Sequence, residues 1–243
     1  MCYSAEASFV SGVVLMGAGA CCLHRARSRA PWFWPYAIVP CLFAVQQFAE
    51  GVVWIGLHHE NKTLIENGSA VYLFFALAFW PFWFSFAAWK TTTISPARRF
   101  LRFWTIASTI WFFVFFLPAL GSLDHSAVAV AGHSVRYEYP DSGGMMATSS
   151  GRWIQRTFYL LTGLIPTIVM SERKLLYTPA FLATLSAIAA ALYFDQTFTS
   201  VWCLWAALIS ISLLRSSSFA ADMQRSPHNS ISAAIIPVYM RLD

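Results

Sequence analysis

The residues best suited to do chemistry sit close together in one apolar stretch. Gln46, Gln47 and Glu50 interrupt a run that is otherwise apolar from Trp32 to Leu57, with Trp54 further along it and His58 directly after it. At 100° per residue, Gln47, Glu50, Gly51, Trp54 and His58 share one face of a helix. Ionisable side chains inside a bilayer are costly, and they usually mark function. Glu50 lies seven residues from the end of this segment, roughly 10 Å deep at 1.5 Å per residue. Gly51 is expected to leave room beside it. The chain start adds Cys2, Ser4 and Glu6, with Cys2 and Glu6 four apart and so on one face if the helix starts that early. Thiolate, imidazole and carboxylate together suit Zn or Cu. The expected metal set is therefore Cys2, Glu6, Glu50 and His58. Ser4, Gln46, Gln47, Glu50, Trp54 and Asp195 form the expected ligand-binding set, with Asp195 in a turn at the same mouth. A lowered thiol pKa would make Cys2 a nucleophile. Two structural readings compete: Gln and protonated Glu hold helices together in lipid, and Ser4 with Glu6 makes a helix N-terminus. The spacing matches no standard metal motif and names no reaction.

The elements that hold these residues must be membrane helices. Of 243 residues, 58% are hydrophobic and 11% charged, against about 45–50% and 25% in soluble domains. That excludes a soluble enzyme, a disordered chain and a disulfide-stapled secreted domain. Seven segments reach the roughly 20 apolar residues a span needs: 5–23, 33–57, 69–89, 100–120, 153–171, 175–194 and 197–214. The first has its basic residues after it, unlike a cleavable signal peptide. Twelve of the 16 basic residues fall on one side of this arrangement with three acids, and the other four share their side with eight acids. The basic side is cytoplasmic. The expected architecture is an all-α bundle of seven transmembrane helices in residues 1–214, N-terminus out and C-terminus in, with a cytoplasmic tail over 215–243. The positive net charge then reports topology, so no nucleic acid is expected as a partner.

The loop 121–152 is the long external segment. Two β-prone runs, Val128-Ala-Val-Ala and Ser134-Val-Arg-Tyr, flank Gly132-His133 and predict a short hairpin over the outer mouth. The mid-span cluster Phe79-Trp80-Pro81-Phe82-Trp83-Phe84 reads as packing or lipid contact, with a kink at Pro81. The seventh span has no Lys for a retinal Schiff base, and no span has a deep His for haem. No acidic residue continues a relay from Glu50 through the inner half, which disfavours a proton or ion pathway. Cys2 is the one external cysteine, so a structural disulfide is not expected.

The opening Met1-Cys2-Tyr3-Ser4-Ala5 and the motif Gln46-Gln47-Phe48-Ala49-Glu50-Gly51 resemble a group of small, functionally uncharacterised bacterial membrane proteins. Those proteins begin Met-Cys-Phe/Tyr-Ser-Ala and carry Gln-Gln-x-x-Glu-Gly in the second span. The resemblance implies a multi-pass protein of the bacterial inner membrane and carries no activity with it. The expected function is an outward-facing polar pocket that binds a metal ion or small ligand. The alternative is a non-catalytic sensor or subunit that packs on a partner or a lipid-soluble cofactor. Membrane lipids are expected neighbours, with a second copy or other complex subunits as candidate partners.

Overall fold

The computed structural model describes residues 4–121, 128–131, 134–137, 149–170 and Phe181. Cys2, Asp195, the expected spans 175–194 and 197–214 and the tail 215–243 lie outside the described residues.

Helix α1 runs Ala5–Arg29. Ser4 Oγ accepts the Ala7 amide at 3.2 Å and satisfies one of the free donors of the first turn. Glu6 in that turn and Arg27 and Arg29 in the last both complement the helix dipole. The helix outlasts the expected 5–23 because nothing between Leu23 and Arg29 breaks it. Pro31 then opens a 3-10 turn, Pro31–Phe33, and a one-turn helix α2, Trp34–Ala37. Helix α3, Val39–His58, follows with Pro40 in its first turn, where the missing amide costs nothing. The expected second span 33–57 is thus a short helical lead-in followed by one continuous helix.

The buried face of α1 is a line of mostly small residues, Ser8, Gly12, Leu15, Gly19, Cys22 and Ala26. It lets α1 lie close along α3. A Cβ on Gly12 would meet the Phe48 ring, one on Gly19 would meet Cys41, and one on Gly51 would meet the Phe9 ring. The paired numbers rise on one helix as they fall on the other, so the two helices are antiparallel. Val10, Val13 and Val14 on the other side of α1 are exposed.

Glu60, at φ 52°, turns the chain into α4, Lys62–Leu73, which Asn61 caps by accepting the Leu64 amide. Gly56 and Gly68 bring α4 against α3: Gly68 faces Val53 and the Ala49 carbonyl. A π-helical segment, Phe74–Phe79, joins α4 to α5, Trp80–Thr91. Pro81 has no amide to give and crowds the carbonyl a turn before it. The helix widens there, and the parts on either side meet at 41°. The expected kink is present, spread over the turn before the proline.

Helix α6, Ser95–Gly121, packs on α5, with Ser85 Oγ 3.1 Å from Ser108 Oγ. Strands β1, Val128–Ala131, and β2, Ser134–Tyr137, pair antiparallel with Val128 opposite Tyr137 and Ala131 opposite Ser134. This is the hairpin expected around Gly132-His133. Helix α7, Ser149–Val169, stacks Phe158 on Trp111 at 4.0 Å, and Met170 just beyond it accepts from the Tyr36 hydroxyl at 3.6 Å.

Among the described residues, two stretches, Ala5–Arg29 and Pro31–His58, are long and apolar enough to cross a membrane, and the bent pair Lys62–Ala76 with Trp80–Thr91 makes a third if it is one span. The expected spans 100–120 and 153–171 fall largely within α6 and α7.

Candidate functional site

The polar residues of α3 are turned inward. Gln46 is 3% exposed, Gln47 1% and Glu50 0%. Burial without hydrogen bonds would cost several kcal/mol per group, roughly 2–7, and the helix provides some of those bonds itself. Gln47 and Glu50 are three apart, hence one above the other on the helix surface. Gln47 Nε2 donates to Glu50 Oε2 at 3.3 Å. Gln46 accepts from outside α3: the Trp80 indole Nε1–H donates to its Oε1 at 2.7 Å. The same indole stacks on Phe43, centroids 4.0 Å apart, so Trp80 closes the deep side of the face with ring and hydrogen bond together.

The direction of this face follows from the helix geometry. Phe48 and Gly51 meet α1. Two residues along an α-helix turn it by about 200°, so Glu50 points away from the face that Phe48 presents to α1. Gly51 therefore does not leave space beside Glu50; Phe9 of α1 fills the notch.

Towards the His58 end, α4 and the hairpin close over α3. Val53 packs with Ile65, Val128 and Val135, with Trp54, Leu57 and Tyr137 against them. Tyr137 of β2 stacks on Tyr72 of α4, centroids 5.0 Å apart and planes 12° from parallel. Ser69 lies one turn before Tyr72 and is fully buried. Because Gly68 abuts Ala49 and Val53, Ser69 stands at the depth of Glu50. Two buried atoms in this region, Ser69 Oγ and Trp54 Nε1, have no hydrogen-bond partner. Buried polar groups in native proteins are overwhelmingly paired, which sets these two apart.

The expected site residues divide into two groups. Gln46, Gln47 and Glu50 form the buried face described above, with Trp54 half-buried beside them. Ser4 serves as the α1 cap, and Glu6 and His58 are exposed at the adjoining ends of α1 and α3. The His58 ring meets His59 edge-on at 5.1 Å. No group of three His, Cys, Asp or Glu among the described residues is placed to hold a metal ion. The sequence reading missed Ser69, Tyr72, Trp80 and Tyr137. Ser69 and Tyr72 carried a usable signal, since their three-residue spacing puts both on one helix face.

Comparison with curated proteins and with solved structures gives no match. The family comparison does: over residues 1–228 the chain matches a family of unknown function, DUF6629, and it belongs to that family.

Proposed function

We propose that this is a multi-pass protein of the bacterial inner membrane whose Gln47–Glu50 face opens, beneath the hairpin, to the outside and binds a small polar ligand. Seven spans, with the N-terminus out, account for the separation of basic from acidic residues along the chain. The observation that carries the ligand reading is Glu50, wholly buried and hydrogen-bonded by Gln47, with the unpartnered Ser69 Oγ and Trp54 Nε1 near it. A buried carboxylate–carboxamide pair is more polarity than helix adhesion uses, and the orphaned groups favour a guest that both donates and accepts.

A small ligand fits this arrangement better than a single Zn or Cu ion shared by Cys2, Glu6, Glu50 and His58. Glu50 and His58 are eight residues apart on one helix, about 12 Å along its axis. One is fully buried and the other exposed. The hairpin is then a lid, held shut by Tyr72 and Tyr137.

The test is chemical. Small molecules extracted from purified wild-type protein and from Glu50→Gln are compared by mass spectrometry, with metal content measured on the same samples. The expected result is a compound present in the wild type, depleted in the variant, and no stoichiometric metal in either. Identical extracts from both proteins would refute the reading.

A further inference from the structure

The π-helical segment Phe74–Phe79 holds one residue more than an α-helix would use over the same length. Trp80 gives its amide to the Phe75 carbonyl, one residue further back than an α-helix would take it. That shift takes the usual donor from the Ala76 carbonyl. The next residue that could supply one is Pro81, which has no N–H. Ala76 is buried in a cluster with Ala49, Tyr72 and Leu73, where a carbonyl without a donor is costly. An α-helical path would lose no bond, because the Trp80 amide would pass from Phe75 to Ala76. Local hydrogen bonding therefore favours the α form, and contacts outside the segment hold the π form in place.

Such contacts lie on either side of it. Tyr72, two residues before the segment, stacks on Tyr137 of the hairpin with centroids 5.0 Å apart. Trp80, directly after it, donates to Gln46 Oε1 at 2.7 Å and stacks on Phe43 at 4.0 Å. One end is thus tied to the hairpin and the other to α3. Closing the π turns would advance α5 by one residue relative to α4, a turn of about 100° and a shift of about 1.5 Å. Neither a short indole hydrogen bond nor a parallel ring stack survives a turn of that size. Tyr72 and Trp80 keep their partners together only while the segment between them is π-helical.

We propose that Phe74–Phe79 is a conformational switch that sets the hairpin contact of Tyr72 against the Gln46 contact of Trp80. With both contacts made, the segment is π-helical. Release of either lets it close to an α-helix, returns a donor to the Ala76 carbonyl, and frees the remaining contact of the cost that the π turns impose. The hairpin then opens more readily while Trp80 is bound to Gln46 than after Trp80 lets go. Linkage makes the effect reciprocal, so hairpin opening also tightens Trp80 on Gln46. The device rests on α3, α4, α5 and the hairpin, and it does not depend on a ligand at Glu50.

The experiment follows amide exchange of the full-length protein in nanodiscs by mass spectrometry, read on peptides that cover β1 and β2. Gln46→Leu removes the acceptor of the Trp80 indole. Trp80→Phe removes the donor and keeps a ring against Phe43. Each should slow exchange in the hairpin by about fivefold, the low end of coupling between two sites. A loss of buried hydrogen bonding that simply loosened the bundle would speed it, so the sign separates the two. Deleting Ala78 takes out the surplus residue and lets both contacts fit an α-helix. That variant should also exchange more slowly in the hairpin, and it should unfold at a higher temperature than the wild type. Hairpin exchange that is unchanged or faster in Gln46→Leu and Trp80→Phe overturns the proposal, whatever the deletion does. Slowing in only one of the two also overturns it, since they remove the same bond. An Ala78 deletion that fails to fold, or that unfolds at a lower temperature, shows that the residue is not surplus and overturns it as well.

Discussion

Replacing Glu50 separates a residue that holds helices together from one that holds a ligand. Glu50→Gln keeps the size and shape of the side chain. Its amide oxygen still accepts from Gln47 Nε2, the bond seen at 3.3 Å. This bond lies within α3 and is retained, and a hydrogen bond contributes about 0.5–1.5 kcal/mol in net terms, so stability should change by less than about 1 kcal/mol. Ligand binding should respond differently. A hydrogen bond to a charged group contributes about 1.5–3 kcal/mol, so a guest that uses the carboxylate charge should bind roughly 10- to 150-fold more weakly. Glu50→Leu is the contrasting change. It removes the acceptor from a fully buried position and takes this partner from the Gln47 amide, at about 1–3 kcal/mol. The assay is thermal unfolding in detergent alongside ligand retention for wild type and both variants. The expected pattern is loss of ligand with near wild-type unfolding for Glu50→Gln, and loss of both for Glu50→Leu. Wild-type retention in Glu50→Gln would show that the charge is not used, and the binding argument would fail with it.

Three other perturbations probe the frame around the site. Tyr137→Ala removes the stack on Tyr72, worth about 0.5–1.5 kcal/mol beyond the area it buries; amide exchange should quicken in β1 and β2 while α1 stays protected, and unchanged hairpin exchange would contradict the lid. Gly51→Val drives a branched side chain into the Phe9 ring and should destabilise by about 1–3 kcal/mol, whereas Gly17→Ala, where a Cβ meets nothing within 4 Å, should be tolerated; equal effects of the two would show that α1 does not lie on α3 as described. For topology, a reporter after Asp243 should be cytoplasmic and a tag within 121–152 reachable from outside, and finding both on one side would end the seven-span arrangement.

What was legible in the sequence, and what was not, divides along a physical line. A helical wheel says which residues of one helix share a face. It does not say which neighbour that face meets. Gln47, Glu50 and Trp54 were grouped correctly because their grouping depends only on the 3.6-residue period. Gly51 was assigned to Glu50 from the same wheel, yet the register of α1 against α3 hands it to Phe9. That register is set by Gly12 and Gly19 on a different helix. His58 shares the Glu50 face in angle, but depth separates them: the last residue of α3 is exposed while Glu50, two turns earlier, is buried. Angle comes from spacing, whereas depth depends on where α4 and the hairpin close over the helix. The hairpin itself was readable, since β-prone runs around Gly132-His133 are a local signal. Its contact with Tyr72 was not, because Tyr137 lies 65 residues from its stacking partner and nothing local links them. Trp80 shows the same limit from the other side. It was read as one ring among many in Phe79-Trp80-Pro81, and only the bend around Pro81 and the closeness of α3 give its indole N–H a carboxamide to meet. The polar face is therefore a product of tertiary placement acting on a stripe that composition alone could reveal. Residues that complete such a face from other helices should be sought among the amphipathic aromatics and small hydroxyls at matching depth, where Ser69, Tyr72 and Trp80 are found.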